Sequence, residues 1–184
     1  RQRARAHPGP RPGGDGGDEL FGGYHHYNRI LKLRNVARRI PRSLRAASSW
    51  LGEYGLPVGF RGRNWLRALN TNFNEELPHI ASLFDASFIG KLLPQLASSK
   101  QDNGDIWETR TVQTDDLLRR ATLTDFKNYL PDDILVKVDR ASMLNSLEVR
   151  APLLDHRIIE FAFRDVPNAL KTTETERKIM LKRL

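Results

Sequence analysis

A chain of 184 residues, 39% of them hydrophobic, is long enough for one domain with an apolar core, and no apolar run approaches the length of a membrane span. With no cysteine there is no disulfide framework, and neither a cleavable signal pattern nor a fixed-period repeat is seen, so a cytoplasmic, non-solenoid chain is expected. The net charge of +8 is local: residues 1–45 carry eleven Lys/Arg against Asp15, Asp18 and Glu19, and the remainder carries nineteen of each sign.

The opening "RQRARAHPGPRPGG" is rich in Arg, Pro and Gly without apolar periodicity, which predicts disorder over residues 1–13. Behind the glycine-rich stretch that follows, Leu20, Tyr24, Tyr27 and Leu31 fall at helical spacing and predict a helix. Ile30, Leu33, Val36/Ala37 and Ile40 continue it, with arginines between them that read as a solvated basic face or, as the sharper alternative, a phosphate-contacting one. Residues 48–64 read as a connection, residues 70–84 as leading into a short helix, and "SSKQDNGD" at 98–105 as a loop. The signal strengthens from Trp107, where Thr114 and Thr124 are candidate helix caps.

Pro131 suits the first turn of a further helix, with Asp132 and Asp133 where the dipole favours acids. Ile134, Val138, Ala141, Leu144 and Leu147 form one apolar face there, and Met143 is expected in the core. Pro152 interrupts the run, and Asp155 is placed to cap the next helix. No alternating strand longer than about four residues occurs, so the chain should be mainly α.

"GGDGGDELFGGYHHY" at 13–27 sets bare, bendable backbone beside three acids. Glycine N–H groups gather around an anion that the acids would repel, and a divalent cation carried on a polyphosphate reconciles the two. A surface turn with capping acids is the plainer alternative. Glu19 reads as a first-turn helix acid rather than a ligand, and the adjacent His25 and His26 point to different faces and do not share a metal.

This stretch resembles the nucleotide-site loop of the glutamine-dependent asparagine synthetases, and "YLPDDILVKVDRASMLNSLEVRAPLLDHRIIEFA", in the same order, resembles that family's later signature. The likeness covers residues 14–184, firmly at both ends and loosely between about 45 and 105, and "ERKIMLKRL" fits the helix that follows. It implies the C-terminal helical portion of an α/β adenine-nucleotide-hydrolase-like, PP-loop ATP pyrophosphatase domain with most of the parallel sheet missing. It also implies that ATP adenylates a side-chain carboxylate, pyrophosphate leaves, and ammonia displaces AMP to give an amide. ATP and Mg2+ are the implied cofactors. Aspartate and ammonia from glutamine are the implied substrates; another carboxylate, as in β-lactam-forming relatives, or a sugar or peptide acceptor is an alternative.

By the same resemblance, Asp18 is the magnesium ligand, Asp15 the catalytic carboxylate that orients the amine or takes its proton, and Gly13, Gly14 and Gly16 the backbone that binds ATP. Gly13 stands where the family usually has serine. The family's Ser-Gly-Gly-x-Asp-Ser loop has no counterpart in residues 1–12, its glutaminase half needs a cysteine nucleophile, and its phosphate-supporting lysine is expected beyond Leu184. The expectation is therefore a truncated domain over 14–184 behind a foreign segment, inactive alone, whose partners are the missing glutaminase and PP-loop segments, with a homo-oligomer left open and no membrane. Asp139, Arg140, Glu148 and Arg150 permit a site-lining role or, the favoured reading, a buried ion-pair network. The alternative from another class is a non-catalytic basic helical module that binds an acidic partner or nucleic acid through residues 29–45.

Overall fold

Glycines decide where the first helices begin and end. The computed structural model describes residues 11–57, 59–78, 112 and 114–184. The helix expected behind the glycine loop is two helices: α1 (Gly17–Phe21) stops at Gly22, whose φ of 66° favours glycine, and α2 (His25–Arg39) restarts after Gly23. α3 (Arg42–Trp50) follows the break at Ile40–Pro41 and runs into a π-helical turn, Leu51–Gly55, so most of the stretch expected to be a connection is helical. α4 (Arg63–Ala68) packs back on that turn.

Residues 70–78 form turns, and the rest of the 70–84 stretch expected to lead into a short helix, the loop at 98–105 and Trp107 lie outside the described residues. α5 (Leu117–Lys127) is capped by Asp116, which accepts the Arg119 N–H at 2.7 Å, rather than by Thr114. Thr124 lies inside that helix, where its hydroxyl accepts the Val112 N–H. A π-helical turn, Leu130–Leu135, carries Pro131 and both acids in its first turn as expected, and leads into α6 (Val136–Leu144). After β2 (Val149–Arg150) and a 3-10 turn at Pro152–Leu154 come α7 (His156–Arg164), α8 (Asn168–Lys171) and α9 (Ile179–Arg183). Asp155 caps α7 through the Arg157 N–H, as expected.

Among the described residues the sheet is a single two-residue parallel pairing, with β1 (Arg11–Pro12) in register against β2, Arg11 opposite Val149. Residues 1–10 of the opening segment lie outside the described residues.

Two apolar clusters hold the helices. Tyr27, Ile30, Leu33 and Ala37, one face of α2, close on Ala68, Leu117, Leu118 and Ala121 from α4 and α5. Leu20 and Phe21 of α1 pack with Ala162 and Val166 from the end of the chain. α6 is different: it has no buried residue, and Met143 and Leu144 are 68% and 86% exposed. The expected core position of Met143 is thus overturned, because no described element covers that face. The expected buried ion-pair network is also absent: Asp139, Arg140, Glu148 and Arg150 are exposed, and Glu148 pairs with Arg150 two residues away at 2.9 Å in solvent.

Arg63, Arg120 and Lys171 are buried among the helices. Arg120, 1% exposed, donates to the carbonyl oxygens of Phe73, Asn74 and Thr114, tying α5 to the 70–74 turn. Arg120→Ala is expected to cost about 2–5 kcal/mol, because it leaves carbonyls unsatisfied and a void, whereas exposed Arg119→Ala should stay within about 0.5 kcal/mol. Urea midpoints of the two variants check this.

Lys171, also 1% exposed, lies with its Nζ 4.8 Å from the Phe163 ring centre. Burial, then repulsion from Arg119, lowers its pKa to about 8. The unfolded chain therefore binds more protons than the folded chain between pH 8 and the ordinary lysine value of 10.5, so stability rises with pH across that window. Lys171→Met is expected to flatten the rise, read from thermal midpoints at pH 7.5 to 10.

Candidate functional site

The glycine loop is shaped from below by the second signature. The Gly13 N–H donates to the Arg150 carbonyl at 2.7 Å, extending the β1–β2 pairing into the loop. Gly16 adopts φ 84° at the start of α1, and a Cβ there would come within 2.2 Å of Leu154 Cδ2; at Gly17 it would meet Leu153 at 3.0 Å. The stretch around 148–155 is therefore the floor on which the 13–18 loop is laid, and bulk at 16 is excluded twice over, by conformation and by contact.

Asp15 is half-buried and lies over Gly13, where an added Cβ would come within 2.6 Å of its Oδ2. A serine at 13 would require that carboxylate to shift. Gly14 is exposed, with nothing within 4 Å of a notional Cβ. Gly13 spends its N–H on Arg150 and Gly17 spends its own on the Gly14 carbonyl at 3.3 Å, while no hydrogen bond among the described residues engages those of Gly14, Asp15 and Gly16. The anion-cradling capacity assigned to the loop thus rests on 14–16, without the Gly13 donor.

Asp18 is held from the far end of the chain. Its Oδ1 lies 2.9 Å from the Lys178 Nζ, both side chains being about a third exposed. Beneath them runs Gly23, where a Cβ would fall 1.7 Å from Asp18 Oδ1 and 2.3 Å from Lys178 Cε. Only a bare backbone lets the pair form there. Around it, the Gly23 N–H donates to the Asp18 carbonyl at 2.8 Å, and Arg177 Nη1 donates to the Gly23 carbonyl at 2.8 Å. Asn28 on α2 donates to the Thr172 hydroxyl and the Glu176 carbonyl, fastening the 172–178 turn to the same helix. Lys178 has φ 51°, an unusual backbone for a residue with a side chain, held by these contacts.

Glu19 is 1% exposed and accepts the Tyr24 hydroxyl at 2.6 Å, which makes it a buried structural acid, in line with its sequence reading as no ligand. Burial and Glu19 push the Tyr24 phenol far above its usual pKa and keep it a donor. His25 is exposed, while His26 Nε2 lies 2.8 Å from Asp125 Oδ2, which also accepts the Tyr27 hydroxyl at 2.7 Å. The two histidines go separate ways, and no group of three His, Asp or Glu side chains among the described residues is arranged to hold a metal ion.

The site thus gathers Gly14, Asp15 and Gly16 on the loop and Asp18 in the first turn of α1, with Lys178 from a segment about 160 residues away in sequence. Sequence reading missed Lys178, Arg177 and Asn28, since nothing local in "TTETERK" announces a partner so distant.

Comparison with known proteins places the chain in a family. The family model described as asparagine synthase matches residues 13–184, which takes in the loop, its floor and the Lys178 turn. The chain belongs to the asparagine synthase family. It is 31% identical to glutamine-hydrolyzing asparagine synthetase 1 of Bacillus subtilis (strain 168), over 99% of this chain and 28% of that protein. It is 33% identical, with the same coverage, to proteins of Mycobacterium tuberculosis (strain H37Rv) and Mycobacterium bovis provisionally named glutamine-hydrolyzing asparagine synthetases. The chain spans about 28% of the length of the curated relatives it matches. No solved structure matches it at a significant level.

Gly23→Ala is expected to expel Lys178 from Asp18 and cost about 1–3 kcal/mol, as overpacking does. Gly14→Ala, made in open space at a backbone angle that alanine accepts, should be neutral or stabilising by up to about 1 kcal/mol. Chemical unfolding of both variants separates the two glycines of this family-like loop.

Proposed function

We propose that this chain supplies one wall of the synthetase site of an ATP-dependent, asparagine-forming enzyme, and that its helices are the C-terminal portion of a PP-loop ATP pyrophosphatase domain. In the proposed reaction an aspartate side-chain oxygen attacks the α-phosphorus of ATP, and the bond to pyrophosphate breaks. Ammonia, drawn from glutamine by another part of the enzyme, then forms the C–N bond as the C–O bond to AMP breaks. Family membership supports the reading, and one observation carries it: a carboxylate and an ammonium, Asp18 and Lys178, are clasped over Gly23 at the rim of a loop with unspent N–H groups.

That pair suits a magnesium-polyphosphate. Lys178 offers a mobile positive charge to a phosphate oxygen, and Asp18 keeps its second carboxylate oxygen for the cation. One carboxylate suffices where phosphate oxygens and water complete the shell, as is usual for magnesium, so the residues fit the ion. Bound there by Asp18, Mg2+ would neutralise charge on the departing pyrophosphate. The N–H groups of Gly14, Asp15 and Gly16 are suited to hold phosphate oxygens in place. Asp15, beside them, would orient the incoming ammonia and take up the proton it loses on forming the amide.

Pyrophosphate release from ATP, aspartate and ammonia tests the reading. The 184-residue chain by itself is expected to give none, because its described residues offer only the Asp15, Asp18 and Lys178 side of such a site. Joined behind the upstream portion of its Bacillus subtilis relative, it should turn over and lose about 10²-fold or more with Asp15→Asn or Asp18→Asn. A rate unchanged by both substitutions together would refute it.

A further inference from the structure

Four arginines of α2 and α3 line a cavity of about 400 Å³, away from the Asp18–Lys178 pair. Arg34 and Arg38 come from α2, Arg42 and Arg45 from α3, and residues 70–74, three of them asparagines, form the opposite wall. Its size is that of a small-molecule cleft. None of its described lining residues is acidic, and none of the four guanidinium groups has an ion-pair partner among the described residues.

Two features separate this from an ordinary solvated basic face. The Nε–H groups of Arg34 and Arg45, like that of Arg120 outside the cavity, are screened from water and have no hydrogen-bond partner, a cost that a small side-chain movement toward an acceptor in the cavity would remove. In addition, Arg42 occupies the first turn of α3, which holds no acid, so its charge faces the positive end of the helix dipole. The C-terminal position of Arg38 on α2 is favourable by the same rule, so the unfavourable charge is confined to the side that closes the cavity. An anion between the helices would offset both costs.

We propose that this cavity binds a phosphate chain: a small polyanion bearing three or more linked phosphates, either free or as the tail of a nucleotide. Four guanidinium forks match its charge and offer bidentate geometry to non-bridging oxygens, and the asparagine wall adds neutral donors. No exposed aromatic side chain lines the described cavity for a base to stack on, which favours the phosphates over the base as the recognised part.

Calorimetric titration of the 184-residue chain with sodium tripolyphosphate, without divalent cation, tests this. Binding is expected, weakened at least tenfold by Arg34→Gln with Arg45→Gln, weakened less by the two Arg→Lys changes, and unaltered by Asp18→Asn. ATP matching tripolyphosphate, with AMP at least tenfold weaker, would make the ligand any phosphate chain; ATP at least tenfold tighter would make it the nucleotide tail. Absence of binding, or binding indifferent to both the Gln and the Lys pairs, would overturn the proposal. Tighter binding with Asp18→Asn, which removes a repelling carboxylate and frees Lys178, would assign the ligand to the family site instead, and tighter binding of single-stranded RNA than of tripolyphosphate would assign the arginines to nucleic acid. Because Asp18→Asn tests the two sites separately, failure here leaves the synthetase reading standing, and the reverse also holds.

Discussion

The absence of a side chain at Gly23 is the constraint on which the candidate site rests. The Asp18 carboxylate and the Lys178 stem occupy the space where any Cβ would stand, so the two ends of the chain meet only because the backbone between them is bare. The ion pair itself is partly exposed and by general experience contributes about 0–1 kcal/mol, too little to organise anything alone. What fixes it is the surrounding set of hydrogen bonds: Arg177 to the Gly23 carbonyl, Gly23 to the Asp18 carbonyl, and Asn28 to the 172–178 turn. The charges are positioned by neutral geometry and so remain available for a ligand.

The same logic explains why both signatures are needed. β2 contributes two residues of pairing, far too little to be a stable sheet, yet it sets the height of the loop through Gly13 and puts Leu153 and Leu154 directly under Gly16 and Gly17. α1, only five residues long, is secured by burying Leu20 and Phe21 against α7 rather than by its own propensity. A loop held from below by leucines and from the side by Lys178 is pre-organised even though none of its own residues prefers that shape strongly.

Much of this was legible in the sequence and some was not, for separable reasons. Periodicity identified the buried face of α2 at Ile30, Leu33 and Ala37, and the cap chemistry of Asp155, because both depend on neighbours within one or two turns. It ran one helix through Gly22–Gly23, since apolar spacing continues across a break that only the left-handed glycine reveals. It put Met143 in a core and paired Glu148 and Arg150 in the interior, because an apolar or charged stripe states that a surface wants a partner without stating that the described residues provide one. The loop residues Asp15 and Asp18 stood out by their company, whereas Lys178 was invisible: its role depends on a contact across nearly the whole chain.

α2 connects two regions of opposite character. Its first turn belongs to an acid-rich network, with Tyr24 on Glu19 and both His26 and Tyr27 on Asp125, while its last turns carry Arg34 and Arg38 into the basic cavity. At 1.5 Å per residue the contacts at His26 and Tyr27 and the arginines at 34 and 38 stand roughly 10–18 Å apart along the axis, beyond one Debye length at physiological salt, so neither region neutralises the other. The acids at one end are satisfied by phenols and an imidazole, but at the other no described residue forms an ion pair with Arg34 or Arg38, and the Arg34 Nε–H has no acceptor. Charge that is segregated along one rigid element, and satisfied at only one of its ends, needs a counterion at the other, and the arginine-lined cavity is where that counterion has room to sit.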